Sequence, residues 1–510
     1  MDLAKNSFIN SLFIFFSQIS GFIRDIFIAA FLGSGLLSNI FIVALRLPFS
    51  FQQSLSGETF HSAFIPTLSS IDGENSIRKR HEFAKKILWI SFLLLIPLIL
   101  LTEIYMSYIL RLVAPGFVDH PKFSLMVLCS RIAFPYLTFI VMSSVFSGLL
   151  NYRNKFSLTA SLPIILNLTV ISYITFSANF GESKVIYLCW TLLIGGVLQI
   201  LFLLFSTDKD FWLSSINLKD GFLDVKKFFR LIAPTFFSQT FIQINVLVGI
   251  IFASFYEGAI SYIYFADRVY MLPLTLTGIS IATVLIPVLS RSIFLNDISS
   301  ALNIQNKAYK LAIATIFPSS IILFMMSHEI IQFIYERGEF NSESTRSTAS
   351  VLQLFSLGLP ALCITKILSP YYFAKNDPQT PFKITTFSVI INIILTLILF
   401  QFIGYLSIPL SISLTAYITL AMYIYSHKKE DFFLFSNEII NYTIKFSFLC
   451  IGLSIQIWII KELIQLLHFN NSIHLFISLI SCLASTIIFM RLFDNELIKD
   501  MKSFMTKTVD

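Results

Sequence analysis

Five basic side chains, Arg24, Arg46, Arg131, Arg268 and Lys366, interrupt long apolar runs, and Asp25, Glu58 and Asp267 do so with the opposite sign. A charge inside a membrane span costs several kcal/mol, so it turns toward the protein interior or an aqueous cavity. The planar guanidinium fork suits bidentate binding of phosphate or carboxylate and stays charged at any working pH. Several arginines on one cavity therefore point to an anionic substrate, a phosphate ester above all. The competing reading is that these arginines pair with Asp25, Asp267 and Glu58 only to hold helices together. Neighbours on a helix point about 100° apart, so Arg24 and Asp25 are not expected simply to cancel each other, nor are Asp267 and Arg268. Arg131 is expected to snorkel from a span end. Lys366 is open between the two readings, and Glu58 is either cavity-lining or a gate partner.

The elements that carry these charges are set by composition. Of 510 residues, 56% are hydrophobic and 13% charged, about half the charge of a soluble domain. Apolar runs such as 185–205 and 386–402 are continuous, which excludes the alternating pattern of an outer-membrane barrel. A backbone in lipid satisfies its own hydrogen bonds, so these runs are helices. With about 20 residues per crossing, the expected fold is an all-α polytopic membrane protein of about 14 transmembrane helices.

With the amino terminus inside, 25 of the 36 basic residues fall in inside segments and 6 in outside loops. That bias places both termini in the cytoplasm. The net charge of +7 is thus a topology signal and does not point to nucleic acid. The five cysteines all lie in apolar runs with no paired spacing and read as small buried hydrophobes.

The chain also repeats itself. Phe15–Gln18 recurs as Phe236–Gln239, Ile65–Ser69 as Ile286–Ser290, and Pro135, Asn151 and Asn167 as Pro360, Asn376 and Asn392. Six spans fit one period, which gives two parallel six-helix repeats with a central cleft at their interface, followed by two C-terminal helices. The expected boundaries are 1–206 for the N-lobe, 207–225 for a cytoplasmic linker, 226–430 for the C-lobe, and 431–510 for the two additional helices and tail. Arg46 and Arg268 are repeat-equivalent and are expected to face each other across the cleft, with Arg24 nearby.

Polar and helix-breaking residues gather in the same helices. Ser17, Gln18, Ser20, Gly21 and Asn39 interrupt apolar faces, and Pro48 precedes Gln52 and Gln53. They line a cavity or serve as helix–helix glue. Pro273 and Gly278 predict a matching break in the second half. No nucleotide-binding loop, zinc-protease motif or nucleophile elbow occurs, and the seven histidines form no ligand pattern. No cofactor and no enzyme activity are expected.

The segment Ser17–Asp25, followed by Gly33-Ser34-Gly35 and Arg46-Leu47-Pro48, resembles the opening of the MurJ/MviN lipid II flippase family. So do Phe60–Pro66, Ala114–Phe117, Ala266–Arg268, Glu336–Phe340 and Tyr371–Pro381. The resemblance implies the multidrug/oligosaccharidyl-lipid/polysaccharide exporter fold in a bacterial inner membrane. It implies translocation of an undecaprenyl-diphosphate-linked peptidoglycan precursor from the cytoplasmic to the periplasmic leaflet by alternating access. The family's diphosphate-binding arginines match Arg24 and Arg268, and Ser17, Ala29 and Ser261 fall on positions that line or tune the cavity.

The sequence departs from that pattern at Gln18 and Gln52, where arginine is frequent, and at Asn39, where aspartate is. Losing a basic and an acidic residue together is what neutralising an ion pair or gate looks like. Either Gln52 weakens substrate affinity or Arg46 substitutes for the missing arginine. The expected mechanism binds the diphosphate on Arg24, Arg46 and Arg268 while the polyprenyl tail stays in lipid, in a groove between the two additional helices. Asn376 and Asp377 read equally as cation ligands or as a loop turn. The rival functions are export of another lipid-linked oligosaccharide or small molecule, and a membrane transferase acting on lipid-linked sugars. The transferase would need an acidic metal site in a large loop, and no loop is long or acidic enough.

Overall fold

A computed structural model describes residues 2–55, 58–71, 76–177, 181–207, 211, 222–295, 297–375, 377–429, 437–466 and 471–493. Every described element is helical, and among the described residues there is no strand. Eleven segments are long and apolar enough to cross a membrane; one of them, 379–429, contains two helices, and two shorter apolar helices cover 36–52 and 243–253. This is compatible with the fourteen crossings read from the sequence. The chain separates into two compact units, 1–261 and 262–510. Most of the 207–225 segment lies outside the described residues.

In the first unit the helices are α1 (Asp2–Leu32), α2 (Leu36–Leu55), α3 (Glu58–Ser69), α4 (Ser76–Val113), α5 (Phe123–Ala133), α6 (Tyr136–Tyr152), α7 (Phe156–Ala160), α8 (Leu162–Phe176), α9 (Ser183–Ser206) and α10 (Phe222–Ala253). Lipid is as apolar as leucine, so helices associate through close fit and polar contacts and gain little from leaving water. A cluster rich in phenylalanine supplies that fit at one end of this unit: Phe60, Phe64, Phe83, Phe146, Phe211 and Phe228 are all buried. Phe60 and Phe228 meet edge-on at 5.3 Å, a favoured aromatic geometry. Arg80 donates to the carbonyls of Leu68 and Ile71 at 3.1 and 3.0 Å, which satisfies acceptors left over where α3 ends.

At the opposite end of α4, the chain passes through Gly116, whose amide donates to Ser254 Oγ at 3.0 Å. A Cβ built on Gly116 would stand 2.2 Å from the Ser254 carbonyl oxygen, so the approach requires glycine.

The second unit begins within α11 (Ala259–Pro273) and continues through α12 (Ser280–Phe294), α13 (Ile298–Met325), α14 (Ser327–Tyr335), α15 (Ser342–Ala374), α16 (Gln379–Ile403), α17 (Ser407–Lys429), α18 (Asn437–Leu466) and α19 (Asn471–Phe493). The break predicted at Pro273 and Gly278 is a six-residue π-helical stretch, Leu274–Ile279, between α11 and α12. Proline removes an amide donor and π-helical turns accommodate such a loss. α15 is the centre of the unit and packs on α12, α13, α14 and α17. Its Gly358 lies against Ser413, whose Cα a methyl group on the glycine would approach to 2.6 Å. The two C-terminal helices pack on each other and on α13 through Ile313, Ala314, Tyr442, Phe446 and Met490.

Candidate functional site

Six turns into α1, Arg24 is buried with 8% of its surface exposed, and Asp25 is buried at 1%. The sequence predicts that these neighbours point apart, but they form an ion pair. Arg24 Nε and Nη2 donate to Asp25 Oδ1 at 3.0 and 2.7 Å. The guanidinium sits on a three-carbon stem long enough to fold back across the 100° between the two Cβ directions, which the backbone geometry alone does not capture.

Asn167 of α8 completes the arrangement. Arg24 Nη1 donates to Asn167 Oδ1 at 3.1 Å, while Asn167 Nδ2 donates to Ser20 Oγ at 2.8 Å and to the Ser17 carbonyl at 3.4 Å. One amide thus reads both an arginine and a serine of α1 and fixes the rotation of α1 against α8. Gly21 faces the same amide, and a Cβ there would meet Asn167 Nδ2 at an ordinary contact distance of 3.5 Å. Sequence reasoning met Asn167 only as a marker of the repeat. The signal that could have singled it out is a buried amide inside an apolar helix, which requires partners.

The remaining first-unit candidates occupy α1, α2, the first residue of α3 and the start of α11. Ser17 is half-buried and Gln18 exposed, whereas Ala29, Asn39 and Ser261 have no exposed surface. Asn39 Oδ1 accepts from the Ser261 amide at 3.0 Å and from the Ser261 hydroxyl at 2.6 Å. Arg46 is half-buried, and its carbonyl accepts from Ser50 Oγ at 2.8 Å beside Pro48. Gln52 is half-buried near the end of α2. Glu58 is the first residue of α3, and its side chain lies outside the described residues.

In the second unit, Asp267 and Arg268 are half-buried on α11. The Arg268 guanidinium lies over the Tyr264 ring at 4.9 Å, and Nη2 donates to Tyr264 Oη at 3.4 Å. A cation held on an aromatic face keeps its charge available to a further anion.

Three further charges are placed by the structure. Arg131 Nε donates to the Glu103 carbonyl at 3.0 Å and its side chain is exposed. Lys366 is exposed along α15. Asp377 caps α16: its Oδ1 accepts from the amides of Gln379 and Thr380 at 3.1 and 3.3 Å, and its Oδ2 accepts from the Thr380 hydroxyl at 2.6 Å. Those bonds hold the Asp377 carboxyl below its ordinary range, the Thr380 hydroxyl first. Of the two readings of Asp377, the loop turn is the one the geometry carries; Asn376 lies outside the described residues.

A cluster outside the predicted set, with Glu329 and His474 buried and Lys461 partly exposed, joins α14 to the C-terminal helices. Glu329 Oε1 accepts from Lys461 Nζ at 3.0 Å and lies 3.6 Å from His474 Nδ1. No group of three or more His, Cys, Asp or Glu residues arranged for a metal occurs among the described residues.

Comparison with known proteins places the family and the fold. The family model described as "Lipid II flippase MurJ" matches residues 28–479. A "Probable lipid II flippase MurJ" of Rickettsia prowazekii (strain Madrid E) is 34% identical, over 96% of this chain and 96% of that protein. A "Lipid II flippase MurJ" of Burkholderia cenocepacia is 27% identical over 82% of each. The solved structure "Lipid II flippase MurJ, inward closed conformation" superposes with a TM-score of 0.82 at 28% identity, covering 96% of this chain and 99% of that one. An inward-facing multidrug resistance transporter of the MATE family and MOP superfamily reaches 0.69 at 13% identity, over 81% of this chain and 94% of that one. At that identity the likeness is one of fold and says nothing about cargo.

Proposed function

Because the chain belongs to the lipid II flippase MurJ family, we propose that it moves the undecaprenyl-diphosphate-linked peptidoglycan precursor from the cytoplasmic to the periplasmic leaflet. The protein is a multi-pass helical membrane protein, and in this reading both termini are cytoplasmic and the membrane is the bacterial inner one. Arg24, Arg46 and Arg268 bind the diphosphate, with Ser17, Ala29 and Ser261 lining the site. Gln18, Asp25, Asn39, Gln52, Glu58 and Asp267 line or gate the path.

The observation that carries the site is Arg24. It is a buried guanidinium within a spanning helix, held by Asp25 and Asn167 at 2.7 to 3.1 Å. A preorganised cation in a region of low dielectric interacts with an arriving phosphate far more strongly than one in water. Asp25 keeps the resting site from carrying an uncompensated charge. Arg268, supported by Tyr264, supplies the second cation. The polyprenyl tail remains in lipid while the two repeats rock in alternating access. An inside-negative potential favours outward movement of negative charge by about 2.3 kcal/mol per charge per 100 mV, so the reading calls on no nucleotide hydrolysis and no enzyme chemistry.

The test is complementation of cells depleted of their own lipid II flippase. Arg24→Ala and Arg268→Ala, each present in the membrane at the level of the unaltered chain, are expected to fail to sustain growth and precursor translocation. Growth and translocation at the unaltered level with both variants would overturn the assignment.

A further inference from the structure

At the end of the second unit where α16 begins and α17 finishes, the two helices part to leave a groove of about 480 Å3. Its lining is graded. Thr380, Lys383, Tyr425 and Ser426 stand at the end nearest the 375–378 connection, Ile384 follows Lys383 directly, and Ile418, Ala421 and Met422 continue the lining further along α17, Ile418 and Ala421 exposed. Ile418 and Ser426 stand eight steps apart on α17, which gives the groove a length of about 12 Å at 1.5 Å per residue.

One cation serves this groove. Lys383 is exposed at its mouth, and among the described residues it makes no hydrogen bond or ion pair. Its charge reaches Asp377, but that carboxylate is engaged by the Gln379 and Thr380 amides and the Thr380 hydroxyl. Tyr425 is 72% exposed beside it, an amphipathic ring of the kind that settles at the headgroup level. A comparable groove in the first unit, about 520 Å3 between Pro135–Phe139 and Trp190–Leu198, is lined without any charged residue. An apolar lining beyond a single cation and a hydroxyl-bearing rim matches an acyl chain beyond a phosphate.

We propose that the α16–α17 groove binds a phospholipid with an anionic headgroup, its phosphate on Lys383 and one acyl chain against Ile384, Ile418, Ala421 and Met422. The basic-residue bias puts this end of the unit in the cytoplasmic leaflet, so the lipid is drawn from there. The site is separate from the arginines assigned to the transported precursor, and its occupancy is independent of whether that assignment holds.

Native mass spectrometry of the full chain in detergent, titrated with phosphatidylglycerol or phosphatidylethanolamine, tests this. The unaltered chain is expected to retain phosphatidylglycerol at least fivefold better than phosphatidylethanolamine. Lys383→Gln should remove that preference and Lys383→Arg should keep it. Ala421→Trp, which fills the apolar part of the groove, should reduce retention of both lipids, and unchanged melting temperatures establish that the variants are folded. Inorganic phosphate at millimolar concentration should not displace the lipid. Equal retention of the two lipids by the unaltered chain, retained preference in Lys383→Gln, or displacement by inorganic phosphate would each overturn the proposal.

Discussion

Asn39 and Ser261 stand 222 residues apart in sequence, yet one side-chain oxygen of Asn39 accepts both the amide and the hydroxyl of Ser261. Ser261 is the third residue of α11, whose first turn has amides with no partner inside the helix. The residue before that helix is Gly258, at φ +79°, which brings no capping side chain. Asn39 therefore caps α11 from another helix. Asn39→Leu should lower thermal stability by about 1–3 kcal/mol, because it strands a buried donor. Asn39→Asp keeps the accepting oxygen and should retain precursor translocation. Equal melting curves for Asn39→Leu and the unaltered chain would sink this account.

Asn167→Leu removes the oxygen that orients Arg24. A hydrogen bond to a charged group is worth about 1.5–3 kcal/mol, so the folded variant should bind precursor about 10-fold or more weakly, and, because the same amide ties α1 to α8, it should also melt at a lower temperature. Titration of the purified variant with a diphosphate lipid reads the effect, and affinity equal to that of the unaltered chain would remove Asn167 from the site.

Tyr264→Leu takes the aromatic face from under Arg268. Cation–π support is worth about 0.5–2 kcal/mol, so the same titration should weaken roughly 2- to 30-fold, and Tyr264→Phe should recover most of the loss. If phenylalanine were no better than leucine, the ring would have no part in holding the guanidinium.

Glu329→Ala leaves Lys461 and His474 without their shared carboxylate. Lys461 is 43% exposed on its side chain, so water compensates part of the loss, and about 1–3 kcal/mol of destabilisation is expected. A double-mutant cycle with Lys461→Ala should show coupling by thermal unfolding. Strict additivity would mean that the cluster does not tie the C-terminal helices to α14.

Asp377 predicts a pH dependence. Its folded carboxyl is held below the usual range, so the stability it contributes is present above the unfolded value of 3.8 and is lost as pH falls through the lower folded value. Asp377→Ala should melt at a lower temperature than the unaltered chain at pH 7, and the two should converge once the solution is acidic enough to protonate the cap. A difference that persisted unchanged into that range would rule the carboxylate out as its origin.

The helices were legible because lipid leaves the backbone few choices, so apolar runs such as 185–205 translate directly into spans. Arg24 and Arg268 were legible as charges where charges are expensive. Their partners were not. The Arg24–Asp25 pair depends on a long side chain folding back, and the Arg24–Asn167 contact depends on which helices meet, which the pattern of a single strip of sequence does not contain. Glu329, Lys461 and His474 were hidden for the same reason: each sits near a helix end, where polar residues are ordinary, and only their convergence sets them apart.

Gly358 has a further consequence. Where α15 meets Ser413 of α17 the glycine brings no side chain, a methyl group is already too much, and the Ser413 hydroxyl donates to the Leu354 carbonyl. That close approach lets the backbones of α15 and α17 meet with no side chain on α15 between them. The π-helical stretch Leu274–Ile279 packs on the same helix, where a Cβ on Gly278 would stand 3.2 Å from Cys363 Sγ, so α15 is gripped closely on two sides.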